Sequence, residues 1–349
     1  MTRHSLRKFH LKRTIIILSI FVILGMGLFW FSQKKPISFP PYEESPESLM
    51  LGIIDEPTSL LITVGQKKKF FQRQGIDLTV RSYGNAVATL DALHQGKIDL
   101  AVTTDYVVTR DHPQLIGDLI IATVASAQDY TLITREDSEI QYISDLEGKN
   151  IGLLSGTPAE YFLGRMLEAH QLSLKDVHLF NISSSELLEH LQTGHMDAIV
   201  TREPFIQQIN DSLGSKGLPI SLHDQRLFSK YYHVIVGKAK FIAEKEKEIV
   251  RFFQGLVLAQ ESLQRSTSQE ILEEKIKLDE VSATVLKPIL EKYHFEVSLP
   301  QDLVSNFEEQ IRFRLSLRLT RFTDYINYLE AIDPRILQKV NPQAVLIVK

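Results

Sequence analysis

The sequence of 349 residues contains no cysteine. That absence excludes structural disulfides, thiolate zinc sites, iron–sulfur ligands, cysteine nucleophiles and lipid-bearing cysteines, whichever compartment the protein occupies. Other motifs of catalysis are missing as well: the phosphate-binding Gly-x-x-x-x-Gly-Lys-Ser/Thr loop, a dinucleotide fingerprint after the first predicted strand, the Gly-x-Ser-x-Gly elbow and a His-x-x-x-His pair. We therefore expect a protein that is not an enzyme, with no cofactor and no metal site.

Acidic residues are absent from the first 35 positions, which carry seven Lys and Arg residues. The rest of the chain then holds 32 basic against 43 acidic residues, a net charge of −11. Nucleic acids and anionic membrane surfaces bind cationic faces, because binding releases their counterions. An acidic body of this size argues against a nucleic-acid partner.

Charge is also absent from residues 14–31, an apolar run of 18 residues. As a helix this run would be roughly 27 Å long, about the thickness of the hydrocarbon core of a membrane. Five basic residues precede it, so the positive-inside rule predicts that residues 1–13 are cytoplasmic and that everything after the helix is extracytoplasmic. The alternative is a cleaved signal peptide, but the small-x-small cleavage pattern is missing. Residues 32–47, which include four prolines, are predicted to be a linker.

The body shows an alternation of strands and helices that predicts an α/β fold with mostly parallel sheets flanked by helices. The first βαβαβ unit is predicted as strand 49–54, helix 59–74, strand 76–82, helix 86–95 and strand 99–103. After strand-like runs at 119–126 and 130–135, a second unit follows as strand 150–154, helix 158–170, strand 177–181, helix 185–193 and strand 198–201. The remainder is predicted as strand 233–237 and helices 241–263, 269–278, 281–293, 303–319 and 322–332.

Each unit contains the same Gly-x-x-Asp join between its second helix and third strand. Gly96 to Asp99 and Gly194 to Asp197 lie 98 residues apart, which indicates two similar lobes. We predict that residues 48–129 and 231–349 form lobe 1 and that residues 130–230 form lobe 2. Two extended crossings between the lobes would form a hinge.

Polar loops follow the predicted strands, where parallel sheets bind ligands between strand ends and helix N-termini. Hydroxyl, amide and charged side chains on these loops are the candidate ligand-binding residues: Thr58, Ser59, Asn85, Thr104, Asp105, Ser126, Gln128, Ser155, Thr157, Arg202 and Glu203. Local caps and turns are the alternative role for each hydroxyl. Thr157 to Glu160, for instance, reads as a capping box with proline at the first helical position.

Four segments of the body form a recognisable set: Asp145 to Gly152 followed by Gly156-Thr157, Tyr83-Gly84-Asn85, Ser126 to Asp129, and Gly194 to Ala198 before Glu203-Pro204. Together they resemble the extracytoplasmic solute-binding proteins of ABC transporters, specifically the NMT1/THI5-like group that binds sulfonates, nitrate and thiamine precursors. Two features depart from the group: Arg202 stands where many members have an aromatic residue, and the lipobox cysteine is absent.

The resemblance implies a type II-like periplasmic-binding-protein fold, in which two lobes close on a small solute. It also implies delivery of that solute to the permease and ATPase subunits of an ABC transporter, by a protein that we expect to be a monomer. Two alternatives stay open, a membrane-anchored sensor that partners a signalling protein and an enzyme similar to thiamine-pyrimidine synthases.

The chemistry of the solute is predicted from the charges on the same loops. Arg202, together with Arg81 and Arg110, could hold a sulfonate or carboxylate through paired guanidinium donors. Acidic residues outnumber basic ones on these loops, however, which favours a neutral or cationic solute; they are Asp55, Glu56, Asp105, Asp129 and Glu203. Tyr83, Tyr106 and Tyr130 are candidate stacking faces for an aromatic solute.

Overall fold

A computed structural model describes most of the body of the chain. The described residues are 37–54, 59–213, 230–266, 290–320, 322–323 and 325–348. The predicted cytoplasmic segment and the predicted membrane helix lie outside them, as do the predicted helix 269–278 and most of the helix predicted over 281–293. Within the described part of the chain, no helix combines the length and the apolar character needed to cross a membrane.

Six strands form the first sheet, sheet 1, in the spatial order β10-β4-β9-β3-β1-β2. The bounds are β1 (Glu47–Ile54), β2 (Ile76–Tyr83), β3 (Leu100–Thr104), β4 (Asp118–Ala127), β9 (Tyr231–Lys238) and β10 (Tyr293–His294). Strand β3 is buried along its whole length, as expected for a central strand covered on both faces.

Four strands form the second sheet, sheet 2, in the order β5-β8-β6-β7. They are β5 (Thr131–Thr134), β6 (Asn150–Leu153), β7 (His178–Asn181) and β8 (Ala198–Thr201). Strand β6 is parallel to both of its neighbours, and β5 is antiparallel to β8 at one edge. The lobe boundaries proposed from the sequence stay predictions.

The helices of the described residues follow the strand ends. They are α1 (Leu60–Lys67), α2 (Phe70–Arg73), α3 (Ala86–His94), α4 (Asp105–Val108), α5 (Pro113–Ile116), α6 (Pro158–Ala169), α7 (Leu187–Gln192), α8 (Phe205–Leu213), α9 (Ala239–Glu244), α10 (Glu246–Arg265), α11 (Gln301–Leu317), α12 (Tyr328–Ala331) and α13 (Arg335–Val340).

Sheet 1 differs from the mostly parallel sheet that the sequence predicts. Strand β9 lies between β3 and β4 and is antiparallel to both, and β10 is antiparallel to β4. The reason is that the chain returns to sheet 1 at the edge where β3 ends, so that His233 pairs with Thr104. A strand that begins at this edge must run in the opposite direction to β3.

Four predicted helices also differ from the structure. The helix expected over 59–74 is divided into α1 and α2, because Lys69 adopts a left-handed conformation with φ 56°. The helix predicted over 241–263 is divided at Lys245 into α9 and α10. The helix predicted over 281–293 is helical at its described residues 290–292 and ends where β10 begins. The region 322–332 is mostly irregular among its described residues and contains only the four-residue helix α12.

The described part of the predicted linker, residues 37–46, has no regular secondary structure. It is nevertheless bound to the body from Tyr42 onward. The amide of Tyr42 donates to the carbonyl of Arg73 at 2.8 Å, and the Arg251 guanidinium lies 4.0 Å from the centre of the Tyr42 ring. This end of the linker is therefore a packed segment rather than a free tether.

The two Gly-x-x-Asp joins have the same structure in both sheets. Gly96 and Gly194 have φ values of 66° and 76°, a left-handed conformation that ends each helix. Each aspartate then binds the strand beside it: Asp99 accepts from the amide of Met50 at 2.8 Å. In sheet 2, the carboxylate of Asp197 accepts from the amide of Asn150, also at 2.8 Å.

We expect Asp197→Ala to lower the free energy of unfolding by about 1–3 kcal/mol, because the substitution leaves a strand amide without its charged acceptor. Asp99→Ala should have a similar effect in sheet 1. Urea unfolding followed by circular dichroism measures both. Asp77→Ala, on the exposed edge of β2, is the control and should change stability by less than about 0.5 kcal/mol. Equal stability of all three variants would contradict the structural role of the joins.

Candidate functional site

A cavity of about 360 Å³ lies between the loops of sheet 1 and those of sheet 2. The side chains and backbone that line it come from both sheets. From sheet 1 and its loops these are Ile54, Gly84, Asn85, Ala86, Thr104, Tyr231 and His233. From the crossing segment, sheet 2 and its loops they are Tyr130, Leu154, Thr157, Pro158, Ala159, Ser183, Ser184, Ser185, Val200, Thr201, Arg202, Pro204 and Phe205.

Three buried residues in the lining carry polar atoms without a hydrogen-bond partner. The hydroxyls of Thr104 and Thr201 and both ring nitrogens of His233 are in this state. Thr104 ends β3 and Thr201 ends β8, so the two hydroxyls belong to different sheets. Buried polar groups are otherwise nearly always paired, which makes these atoms candidates for hydrogen bonds to a ligand.

The ring of His233 is neutral at neutral pH. Burial lowers the pKa of His233 well below its usual value, and the nearby charge of Arg202 lowers it further. A neutral imidazole has one donor and one acceptor nitrogen, so His233 can hydrogen-bond a solute without adding charge to the cavity.

Arg202 carries the formal charge of the cavity lining, among the residues that the structure describes. Its Nη1 donates to the hydroxyl of Tyr293 at 3.2 Å, and its guanidinium lies 5.8 Å from the centre of the Tyr130 ring. Tyr293 in turn donates to the carboxylate of Asp129 at 2.8 Å. The arginine is thus held from behind by a chain of hydrogen bonds.

Three helices of eight or more residues, α3, α6 and α8, begin at the described cavity wall, and in the first turn of α8 the amide of Gln207 already donates to Glu203. Asn85 is the N-cap of α3 and accepts a hydrogen bond from the amide of Ala88 at 2.9 Å. Thr157 is the N-cap of α6, with Pro158 at the first helical position. Helix N-termini carry partial positive charge, so together with Arg202 they make the electrostatic potential of the cavity favourable for an anionic group.

Four of the residues predicted from the sequence line the cavity: Asn85, Thr104, Thr157 and Arg202. The capping box predicted at Thr157 does not form. Its hydroxyl donates to the carbonyl of Leu154 at 2.6 Å, and Glu160 accepts from the amide of Gly156 at 3.1 Å. The turn before α6 is therefore closed by a different pair of hydrogen bonds.

Asp105 and Glu203, two of the predicted ligand-binding residues, are not among the residues described as lining the cavity. Asp105 is fully buried and accepts from the amide of Tyr232 at 3.1 Å and from the Asn306 side chain at 2.6 Å. Burial raises the pKa of Asp105 to about 7, against hydrogen bonds that lower it. Glu203 is 5% exposed and forms an ion pair with Lys292 at 3.3 Å. Both carboxylates are occupied by protein groups.

The remaining predicted residues are dispersed. Ser59 is the N-cap residue of α1, Gln128 is exposed, and the amide of Ser155 donates to Asn181 at 3.0 Å. Ser126 lines a separate depression together with Tyr232 and His294. Thr58, like Asp55 and Glu56, lies outside the described residues.

The sequence analysis missed Tyr231, His233 and the three serines at 183–185 as lining residues. The serines follow the end of β7 and precede α7, so the strand-end rule applied to the other loops would have found them. Tyr231 and His233 gave no such signal, because their position depends on the antiparallel insertion of β9. Of the candidate stacking residues, Tyr130 lines the cavity.

The two sheets, their helices and the strand order define an α/β protein with the periplasmic-binding-protein fold. The chain belongs to the NMT1/THI5-like family, whose model matches residues 56–262. The alkanesulfonate-binding protein SsuA from Xanthomonas axonopodis pv. citri, solved with MOPS bound, superposes with a TM-score of 0.70 at 15% identity. The alignment covers 84% of this chain and 100% of that one.

Two proteins of related sequence also match the chain. A Haemophilus influenzae protein, provisionally named a thiamine biosynthesis protein, is 24% identical over 172 residues, which are 49% of this chain and 54% of the relative. The matched segment thus spans about half of that protein. Bacillus subtilis YtlA, provisionally named a binding protein, is 21% identical over 290 residues, covering 80% of this chain and 85% of YtlA.

Proposed function

We propose that this protein captures a small solute in the cavity between its two sheets and passes it, chemically unchanged, to an ABC-type permease. The observation that carries the proposal is the cavity of about 360 Å³, lined by unpartnered polar atoms from both sheets. A ligand that bonds Thr104 on one side and Thr201 on the other would favour a closed arrangement of the two sheets.

Family membership and the similarity to SsuA support the transport role. A position outside the cytoplasmic membrane, held by residues 14–31, belongs to the same proposal and is supported by the apolar, uncharged sequence of that segment. Of the carboxylates predicted on these loops, Asp105, Asp129 and Glu203 are bound by protein groups. Arg202 and the N-termini of α3 and α6 belong to the cavity wall that the structure describes. The solute we propose is therefore a small anion with an apolar or aromatic part, in place of the neutral or cationic solute that the loop charges favoured.

The apolar part of the solute would contact side chains on several walls of the cavity. Tyr130 and Tyr231 offer aromatic faces, and Phe205 and Val200 add apolar surface. In a cavity of this kind, a few polar groups of the protein fix the orientation of the ligand, and the apolar side chains exclude water.

The full-length chain, purified in a mild detergent, tests the proposal by calorimetry with four groups of compounds: small sulfonates, carboxylates, pyrimidines and amines. At about 100 times its Kd, a ligand adds about 2.7 kcal/mol to the stability, which raises the Tm by a few degrees. We expect this rise with sulfonates or carboxylates.

The bound compound should be recovered with unchanged mass. Stabilisation by amines alone would contradict the anion class, and stabilisation by none of the four groups would contradict solute capture. Conversion of a bound compound to a product would contradict the non-enzymatic role.

A further inference from the structure

Asp129 lies on the segment that connects β4 of sheet 1 to β5 of sheet 2, and it is 2% exposed. Its Oδ1 accepts a hydrogen bond from the hydroxyl of Tyr231 at 2.7 Å, and its Oδ2 accepts from Tyr293 at 2.8 Å. Tyr231 lines the cavity, while Tyr293 accepts from Arg202 at 3.2 Å. Asp129 thus stands directly behind the group that would bind an anion.

An ionised Asp129 determines where the two tyrosine protons point. A carboxylate can only accept hydrogen bonds, and each tyrosine has a single hydroxyl proton. Both protons are therefore directed at Asp129, and the oxygen of Tyr293 is left to accept from Arg202. In this state the hydroxyl proton of Tyr231 is turned away from the cavity, and one negative charge lies behind the arginine.

A protonated Asp129 reverses both effects. Its own proton can be donated to one tyrosine oxygen, which releases the hydroxyl proton of Tyr231 from Asp129. That proton can then point to the hydroxyl oxygen of Tyr293, 3.2 Å away, or to a solute in the cavity that Tyr231 lines. The negative charge behind Arg202 is also lost. An anion in the cavity then interacts with a cation that is no longer partly cancelled, in a site where burial strengthens such interactions.

We propose that Asp129 is a positioning residue that couples the binding of an anion in the cavity to the uptake of one proton from solvent. The proposal rests on the proposed function, since it assigns a proton-linked affinity to the same site. Charge balance is its physical basis: Asp129 is joined to Arg202 through the hydroxyl of Tyr293, so an anion bound to Arg202 places a second negative charge near the carboxylate and favours a proton on Asp129.

The other groups around Asp129 do not replace it in this role. Lys292 and Glu203 pair with each other at 3.3 Å, so their charges oppose one another. His233 is neutral because burial lowers its pKa well below the usual value. The remaining neighbours, Tyr130, Tyr231, Tyr293 and Arg202, have pKa values raised by their surroundings and keep their protons near neutral pH. Burial raises the pKa of Asp129 to about 6, although its tyrosine hydrogen bonds lower it.

The test compares the full-length wild type with Asp129→Asn, using ethanesulfonate and benzenesulfonate as probes in titration calorimetry. Sulfonates stay ionised over the whole range from about pH 5 to about pH 8, so any pH dependence of the Kd belongs to the protein. We expect wild-type affinity to be about tenfold higher at the lower pH. Asp129→Asn should bind with one affinity throughout the range, close to that of the wild type at low pH.

Proton uptake is measured in the same titrations with buffers of different ionisation enthalpy. Wild type should take up a fraction of a proton per bound sulfonate near pH 7, and Asp129→Asn none. Asp137→Asn is the matched control, since it removes the same charge from an exposed carboxylate whose pKa is lowered by Arg135, and it should behave as the wild type.

Three outcomes would overturn the proposal. The first is that the Kd of Asp129→Asn for sulfonates depends on pH as strongly as that of the wild type. The second is that the wild-type Kd for a neutral probe such as uracil depends on pH as strongly as the Kd for sulfonates. The third is uracil binding without sulfonate binding at any pH, which would leave solute capture standing. If Asp129→Asn does not fold, wild-type proton uptake decides: sulfonate binding without uptake contradicts the coupling.

Discussion

Arg314→Met is expected to lower the free energy of unfolding by more than about 3 kcal/mol. Arg314, on α11, is only 2% exposed. Its guanidinium lies 3.8 Å from the centre of the Tyr106 ring and donates to the carbonyls of Tyr106 and Gly156, each at 3.3 Å. Methionine fills part of the volume, but it leaves these carbonyls without their charged donor.

The loss also affects the junction between the sheets. Tyr106 follows β3 in sheet 1, and its hydroxyl donates to Glu160 on α6 of sheet 2 at 2.7 Å. Arg314 also donates to the carbonyl of Gly156, whose amide donates to Glu160 at 3.1 Å, so its removal disturbs both groups that hydrogen-bond this buried carboxylate. Removing one partner from a buried charged network costs more than the net contribution of the network itself.

Urea unfolding compares Arg314→Met with the same substitution at an exposed arginine on the same helix. Arg312 has a side chain that is 62% exposed and pairs with Glu308 at 3.7 Å, so Arg312→Met should change stability by less than about 0.5 kcal/mol. Similar losses for Arg312→Met and Arg314→Met would mean that the buried network does not stabilise the fold.

Arg202→Met is expected to weaken sulfonate or carboxylate binding by about 100-fold, because it removes the cation that the described lining offers to an anionic group. Arg202→Lys keeps the charge but loses the planar, two-pronged donor geometry, so its loss should be about tenfold. Calorimetric Kd values for the three proteins give the comparison.

The controls separate a loss of ligand contact from a loss of structure. Arg135→Met removes an arginine that pairs with Asp137 at 2.7 Å, outside the described cavity lining, and should leave the Kd unchanged. Unliganded Arg202→Met should lose some stability, because Tyr293 and Asp129 lose a buried charged neighbour, but it should keep the circular dichroism spectrum of the wild type at the temperature of the titration. A neutral ligand that loses affinity as strongly as an anion does would contradict the charge-based role of Arg202.

Much of the fold could be predicted from local sequence. Glycine in the left-handed conformation ended the helices before β3 and β8, and the aspartate three residues later could be recognised at both sites. The unpredicted features have non-local causes. Strand β10 is only two residues long, and it exists because Tyr293 and His294 pair with β4, more than 160 residues earlier.

The location of the candidate site could be predicted from the sequence, whereas the side chains that line it could be predicted only in part. Thr104 and Asp105 are adjacent, yet only Thr104 is part of the described cavity wall. The carboxylate of Asp105 is bound by Tyr232 and Asn306, which lie 127 and 201 residues further along the chain. No local pattern identifies such partners.

The sequence by itself determined the order of strands and helices, the two matched joins and the edge of each sheet where a ligand would bind. These features depend on hydrophobic periodicity and on residues with special backbone preferences, which act over a few positions. The tertiary structure decided which polar groups face the cavity. The carboxylates of Asp105, Asp129 and Glu203 are bound by distant donors, whereas Thr104, Thr201 and His233 lack partners. That division decides which charged groups line the part of the cavity that the structure describes. A buried carboxylate is oriented by the nearest available donors, and only folding brings those donors to it.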